Sequence, residues 1–260
     1  NNITYNKEDN LSNYHIYIYN DNTILKTDEV LDDVLIKGKY SCTLDDCDIY
    51  ENTVFNPLYD DRYIVIKENN KVFIYNYTDN TIVSNSYDSI YLQVNNYFFV
   101  ANNDKYGIIT IEGDIISDTI YDDIGNIYND YIKVGIDNLY GVYDLKNKEM
   151  VIDTTYEDIR ITDSNYFSIL DNNMWYVINK NKEVITSGYE YTYAFNKGFI
   201  AKIDNSLYIL KYGMEQDLLN DNTITIDSDY DIKRNNNIIY ITIGDKEYQY
   251  EINRNELLKK

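Results

Sequence analysis

The chain has 260 residues, 44% of them hydrophobic, with 31 Tyr, one Trp, ten Gly and one Pro. Its formal net charge is −21, from 44 acids against 23 bases, and its isoelectric point is near 4.3. Such a charge repels phosphate backbones and anionic lipid, and no stretch reaches the roughly 20 apolar residues needed to span a bilayer, so nucleic-acid binding and membrane insertion are both disfavoured.

Tyr and Ile fit a pleated, half-buried surface. The abundant Asn and Asp tolerate left-handed turns and take the place of Gly at hairpin tips. Strand formers punctuated by turn formers predict an all-β chain.

The N-terminal 62 residues are irregular. The chain opens Asn1-Asn2-Ile3 without a Met, which fits a processed or truncated product whose targeting segment is missing. His15-Ile-Tyr-Ile-Tyr19 and Thr23-Ile-Leu25 predict a hairpin around Asn20-Asp21-Asn22. His15 is the single histidine, and its place in an alternating strand reads as strand surface rather than general base. Val34-Leu-Ile36, Lys39 to Leu44 and Asp48 to Phe55 suggest a further short unit. Cys42 and Cys47 flank Thr-Leu-Asp-Asp, a spacing that reads first as two reduced, partly buried thiols and otherwise as a short disulfide across a tight hairpin. Two thiols and one histidine do not suffice for a Cys/His zinc site.

Regularity begins at Tyr63. Tyr63-Ile-Val-Ile-Lys67, Val72-Phe-Ile-Tyr75 and Thr81-Ile-Val83 make one unit. A Tyr-acid-x-Ile motif then recurs as Tyr87-Asp88-Ser89-Ile90, Tyr121-Asp122-Asp123-Ile124 and Tyr156-Glu157-Asp158-Ile159, and degraded as Tyr189-Glu190-Tyr191-Thr192. Its steps of 34, 35 and 33 residues mark a repeat architecture, whose small units bury their apolar faces against their neighbours. After each motif a first strand is expected to open at Tyr97, Tyr131, Tyr166 and Phe199. Nine residues further on stands an aromatic, at Tyr106, Tyr140, Trp175 and Tyr208, whose regular phase argues for core packing rather than ligand stacking. The following turn repeats as Glu112-Gly113-Asp114, Lys146-Asn147-Lys148 and Lys180-Asn181-Lys182. The repeated acids Asp88, Asp122, Glu157, Glu190 and Asp231 are expected to accept backbone N–H groups at their own tight turns; a negative rim is the competing reading.

An insertion near Gln216 to Thr225 precedes a divergent last unit over residues 213–260, with strands at Tyr230-Asp-Ile232, Ile239 to Ile243 and Tyr248 to Ile252. Asp227-Ser-Asp229-Tyr-Asp231 alternates oxygens like the opening of a calcium loop, but Ile232 and Ile238 stand where that loop needs Gly and Glu.

Tyr121-Asp-Asp-Ile124 with Lys105-Tyr106-Gly107-Ile108-Ile109 resembles the bacterial WG-repeat family over about residues 63–212. The aromatic-Gly pair stands at Tyr106-Gly107 and Tyr140-Gly141, and its glycine is lost at Trp175-Tyr176 and Tyr208-Ile209. The resemblance implies a repeat scaffold and supplies no catalytic residues.

The expected architecture is a single all-β repeat domain over 1–260 of short antiparallel sheets, best arranged as a six- or seven-bladed β-propeller, with an open solenoid or stacked array as the alternative. With no second histidine, no Gly-rich phosphate loop and too many acids to single out a catalytic pair, no catalytic, metal or cofactor site is assigned. The expected role is a monomeric, non-enzymatic recognition scaffold, secreted or surface-displayed by a bacterium, binding a protein or glycan. A carbohydrate-active propeller with paired carboxylates and a purely structural domain of a larger protein are the alternatives.

Overall fold

A computed structural model describes residues 14–20, 24–27, 30–31, 36–42, 48–49, 62–94, 96–213 and 222–260. These residues form strands and turns with no helix, in seven antiparallel sheets. They divide into two compact units, Asn1–Tyr121 and Asp122–Lys260.

The first unit holds three sheets. Sheet I sets Tyr14–Tyr19 between Ile24–Thr27 and Ile36–Cys42. The predicted N-terminal hairpin is present, with Ile18 opposite Ile24. Sheet II is a meander of Asp48–Ile49, Tyr63–Glu68, Lys71–Asn76 and Thr81–Ile82; sheet III follows with Ser89–Val94, Tyr97–Asn102, Lys105–Thr110 and Ile115–Tyr121. The segment expected to make its own short unit is thus divided, since Ile36–Cys42 pairs into sheet I and Asp48–Ile49 opens sheet II. Sheet II is covered on both faces. Ile64 and Ile66 pack with Ile16 and Ile18 of sheet I, while the alternate residues Tyr63 and Val65 pack with Phe98 and Val100 of sheet III. Period-2 alternation therefore reads as a continuous apolar run, Tyr63-Ile-Val-Ile66, because both faces are dry. Each such Ile contributes about 1.5–3 kcal/mol through burial.

The second unit repeats the arrangement with four sheets. Sheet IV runs through Asp123–Tyr128, Tyr131–Ile136, Leu139–Asp144 and Glu149–Tyr156, and sheet V through Asp158–Ile161, Tyr166–Asp171 and Met174–Asn179. Sheet VI comprises Tyr191–Phe195, Gly198–Ile203, Ser206–Lys211 and Thr223–Thr225; sheet VII comprises Tyr230–Asn235, Ile238–Ile243, Lys246–Glu251 and Glu256–Lys259. Three apolar layers join them in sequence: Val142 and Ile152 against Ile159 and Phe167, Val177 against Ala194 and Phe199, and Phe195 and Leu207 against Ile239 and Ile241. The all-β repeat of short antiparallel sheets expected from sequence is the architecture observed.

Asn and Asp carry the turns as predicted. Among the described residues every non-glycine at positive φ is Asn or Asp except Lys148 and Lys182. Pairs such as Asp137-Asn138 and Asn172-Asn173 close two-residue hairpins, where both central residues need φ above zero. At the next turn of sheets II, IV and V the last residue of the third strand caps the chain. Asp144 Oδ1 accepts the Lys146 and Asn147 amides at 2.9 Å, and Asn179 Oδ1 accepts those of Asn181 and Glu183.

The register corrects the expected repeat in two ways. The strands opening at Tyr97, Tyr131 and Tyr166 are the second of their sheets, because the residues just after each Tyr-acid pair already form a first strand. In sheet VI the equivalent strand opens at Gly198 and the next at Ser206, so Phe199 and Tyr208 stand one position out of phase and Leu207 takes the slot held by Tyr106, Tyr140 and Trp175. The aromatic at 208 matched the period by sequence spacing alone.

Candidate functional site

The Tyr-acid-x-Ile motif is a seam between consecutive strands. Its Tyr closes one meander: Tyr121 pairs with Tyr106, Tyr156 with Tyr140, Tyr189 with Trp175 and Tyr87 with Val72. The motif Tyr and the aromatic of the aromatic-Gly pair are therefore cross-strand partners. The acid then ties the start of the following strand to a hairpin. Asp88 Oδ2 accepts the Asn103 amide at 2.8 Å, Asp122 Oδ2 that of Asp137 at 2.9 Å, Glu157 Oε2 that of Asn173 at 3.3 Å and Glu190 Oε1 that of Asp204 at 3.0 Å. The expected backbone hydrogen bonds are present, but to the hairpin 14–16 residues onward rather than to the acid's own turn. Asp231 does not belong to this series. It lies within a strand, opposite Thr242, and pairs with Lys233. The Asp227 carboxylate receives Lys246, so Asp227 and Asp231 of the acid-rich 227–231 segment are engaged with lysines. Among the described residues no group of three or more His, Cys, Asp or Glu could hold a metal ion.

His15 is buried, 7% exposed, which corrects its reading as strand surface. Its Nδ1 lies 2.8 Å from Ser41 Oγ, and burial, then Lys39, lowers its pKa. Cys42 is buried and disulfide-bonded; Cys47 lies outside the described residues.

Two of the cavities lined by described residues hold charged or phenolic side chains. In the first unit a space of about 650 Å³ is bounded by Lys39, Tyr40, Ser41, Tyr75 and Asn80 to Ile82. Its phenols are already spent, Tyr75 donating to Lys39 O and Tyr40 to Glu68. In the second unit a cavity of about 330 Å³ opens at the first strands of sheets IV and V, lined by Gly125, Asn126, Lys133 and Asp158 to Thr162.

This second cavity collects charge. The Lys133 ammonium pairs with Asp158 and sits 3.8 Å from the Tyr140 ring centroid. Asp158 Oδ1 also accepts the Ile159 amide at 2.8 Å. The Arg160 guanidinium lies between two rings, 3.7 Å from Trp175 and 4.4 Å from Tyr191. Tyr191 meets Tyr230 edge-on at 5.8 Å. Burial pushes the Tyr191 phenol up to about 12, opposed by Arg160. One wall is braced from other strands: Thr162 Oγ1 donates to Ala194 O, and Arg234 donates to Thr162 O at 3.0 Å and to Asp163 at 3.1 Å. Asp163 is 5% exposed and its other oxygen accepts the Asn165 amide.

Of the aromatics expected in the core, Trp175 is buried while Tyr106, Tyr140 and Tyr208 are half-buried, and sequence reasoning missed Lys133, Asp158 and Arg160. A signal was present. The chain holds only four arginines, and Arg is the cation that stacks on rings while keeping edge donors free.

No family model matches the chain, and no curated protein matches it in sequence. Solved structures similar to it include Hsv2 of Kluyveromyces lactis, at 9% identity and a TM-score of 0.40, covering 62% of this chain and 58% of that one. AztD of Citrobacter koseri matches at 11% identity and 0.41, over 84% and 73% of the two chains. A eukaryotic initiation factor matches at 8% and 0.46, over 95% and 72%. The chain thus spans about three fifths of the length of the Hsv2 structures it matches.

Proposed function

We propose that the protein is a non-catalytic recognition scaffold of the WG-repeat type, exported or displayed by a bacterium, which binds a protein or glycan at the cavity of sheets IV and V. One observation carries this reading. The repeated acids and rings are consumed internally by the acid-to-hairpin bonds and the aromatic slots, whereas Lys133, Asp158 and Arg160 converge on open space. Asp158 is the one carboxylate among the residues lining that cavity, which supports binding over two-acid glycoside hydrolysis.

The test is a screen of immobilised glycans and bacterial surface proteins, with the intact chain and with Asn126→Trp. Asn126 is exposed at the cavity mouth, so an indole there fills the space without entering the core. Saturable binding by the native chain and its loss in N126W are expected. Binding that survives the plug, or turnover of a bound glycan, would sink the reading.

A further inference from the structure

Arg160 differs from many of the chain's cations. In a chain of 44 acids and 23 bases, Lys133, Lys182, Lys202, Arg234 and Lys246 each meet a carboxylate. Arg160 is ion-paired to no carboxylate among the described residues, and its Nη1 is buried without an acceptor. Trp175 and Tyr191, tilted by 48° to one another, both pack against the guanidinium, each contact worth about 0.5–2 kcal/mol. Stacking holds the plane but satisfies no N–H. The guanidinium as a whole is half-buried and lines the cavity, so its accessible N–H edge and its uncompensated charge are left for an acceptor oxygen there.

The other lining groups define that acceptor. Lys133 and Arg160 against Asp158 leave the cavity with a formal charge of +1, within a chain of −21. One negative charge is matched there; a dianion such as phosphate would be left unbalanced beside Asp158. Asp158 commits Oδ1 to Lys133 and the Ile159 amide, and Oδ2 makes no bond within the described residues. With the Asn126 amide it offers the acceptor and donor that hydroxyl groups require. The apolar lining is confined to Ile159 and Ile161, both buried, so no greasy subsite awaits a peptide side chain. A volume of about 330 Å³ is at the small end of ligand cavities and suits one ring rather than an extended chain.

We propose that this cavity binds a sugar acid, a uronic or sialic acid type of residue. Its carboxylate lies between Arg160 and Lys133, and its hydroxyls meet Asp158 and Asn126. The proposal rests on the recognition reading given above and narrows it to acidic glycans.

The lone tryptophan, Trp175, lies under Arg160 and makes its fluorescence a built-in reporter. The experiment titrates the full chain with methyl glucuronide and with N-acetylneuraminate, following Trp175 emission and heat in parallel. Methyl glucoside and a short peptide with a free C-terminus are the controls. Saturable one-to-one binding of a sugar acid is expected, with a Trp175 signal and weakening at higher salt. Losing one charge-assisted contact weakens binding by about ten- to a hundredfold, so Lys133→Met should do this while keeping the Arg160 stack intact. Arg160→Lys keeps the charge, loses the fork, and should weaken binding by a similar factor. Equal binding of methyl glucoside would overturn the carboxylate assignment. Binding of the peptide in place of the sugars would overturn the sugar assignment. Sugar-acid binding indifferent to both variants would place the site elsewhere. If neither sugar acid binds while N126W still abolishes capture of another glycan or protein, this proposal fails and the recognition reading stands; if nothing binds at all, both fail.

Discussion

Sheets III and IV and sheets II and V solve one problem in two ways. In each, the fourth segment returns past the third strand carrying more residues than the ladder can use. In sheets III and IV the surplus is a bulge. Tyr106 pairs with Tyr121 but Ile108 with Ser117, and Tyr140 pairs with Tyr156 but Val142 with Ile152. The bulged backbone leans onto the third strand, where a Cβ on Gly107 would lie 2.9 Å from Ser117 O and one on Gly141 2.4 Å from Ile152 O. In sheets II and V the chain loops away, touching down only at its ends, and a hydroxyl replaces the missing ladder bond. Ser84 Oγ accepts the Ile74 amide at 2.8 Å, and Thr186 Oγ1 accepts that of Val177 at 2.9 Å. No bulge presses on the third strand, so Phe73 and Tyr176 stand where glycine stood; Gly188 now gives way to the Tyr176 ring. In sheet VI the ladder is regular, and no glycine is needed at Tyr208. The aromatic of the aromatic-Gly pair thus belongs to the repeat, and the glycine belongs to the bulge.

Removing what the sheets share should do the most damage. Trp175→Ala empties a buried slot and uncovers one face of Arg160, and is expected to cost about 3–5 kcal/mol in a denaturant titration. A loss under about 1 kcal/mol would mean that the slot is not core. Next come the glycines. Gly141→Ala drives a methyl into backbone that cannot swing aside, costing about 1–3 kcal/mol, with Gly107→Ala below it because its contact is looser. Equal and negligible losses at both would break the link between glycine and bulge. Third is the hydroxyl. Thr186→Val keeps the shape but strands the buried Val177 amide, at about 1–3 kcal/mol; a neutral result would mean that another acceptor serves that amide.

This pattern also explains what could be read from the sequence. The Tyr-acid-x-Ile period was legible because its Tyr and Ile are held by packing and pairing at fixed distances along every meander. The aromatic slot was legible for the same reason, until the unbulged first hairpin of sheet VI shortened the step, so that Tyr208 matched the sequence spacing while Leu207 took the slot. Ser84 and Thr186 were not legible, since a hydroxyl among many Ser, Thr and Asn residues carries no period. Asp158 and Arg160 were hidden differently: Asp158 occupies the variable position of a motif recognised by its constant ones, and Arg160 follows just after it. His15 read as surface because its neighbours alternate, whereas sheet I is covered where it sits and Ser41 supplies its partner.

The acid-to-hairpin bond should be indifferent to which solution a sheet uses, and pH tests this. In sheet III, Lys71 and the Asn103 amide hold the Asp88 carboxyl below its usual range; in sheet VI, Lys202 and the Asp204 amide do the same for Glu190. A carboxyl whose folded pKa is depressed adds stability that is complete above its unfolded value and is lost as pH falls through the folded one. Both groups are solvent-exposed, so the global effect is small and the local one is the sensitive measure. On acidification the Asn103 and Asp204 amide resonances should titrate together, each below the ordinary range for its acid, and Asp88→Asn should abolish the shift at Asn103 alone. The alkaline limb runs the opposite way. Burial pushes Tyr191 and Tyr193 up to about 12, so their contribution is intact below pH 10 and lost as pH climbs towards 12. If the two amides titrate apart, or if Asp88→Asn moves Asp204 as well, the tie depends on its sheet and the seam is not a common element of the repeat.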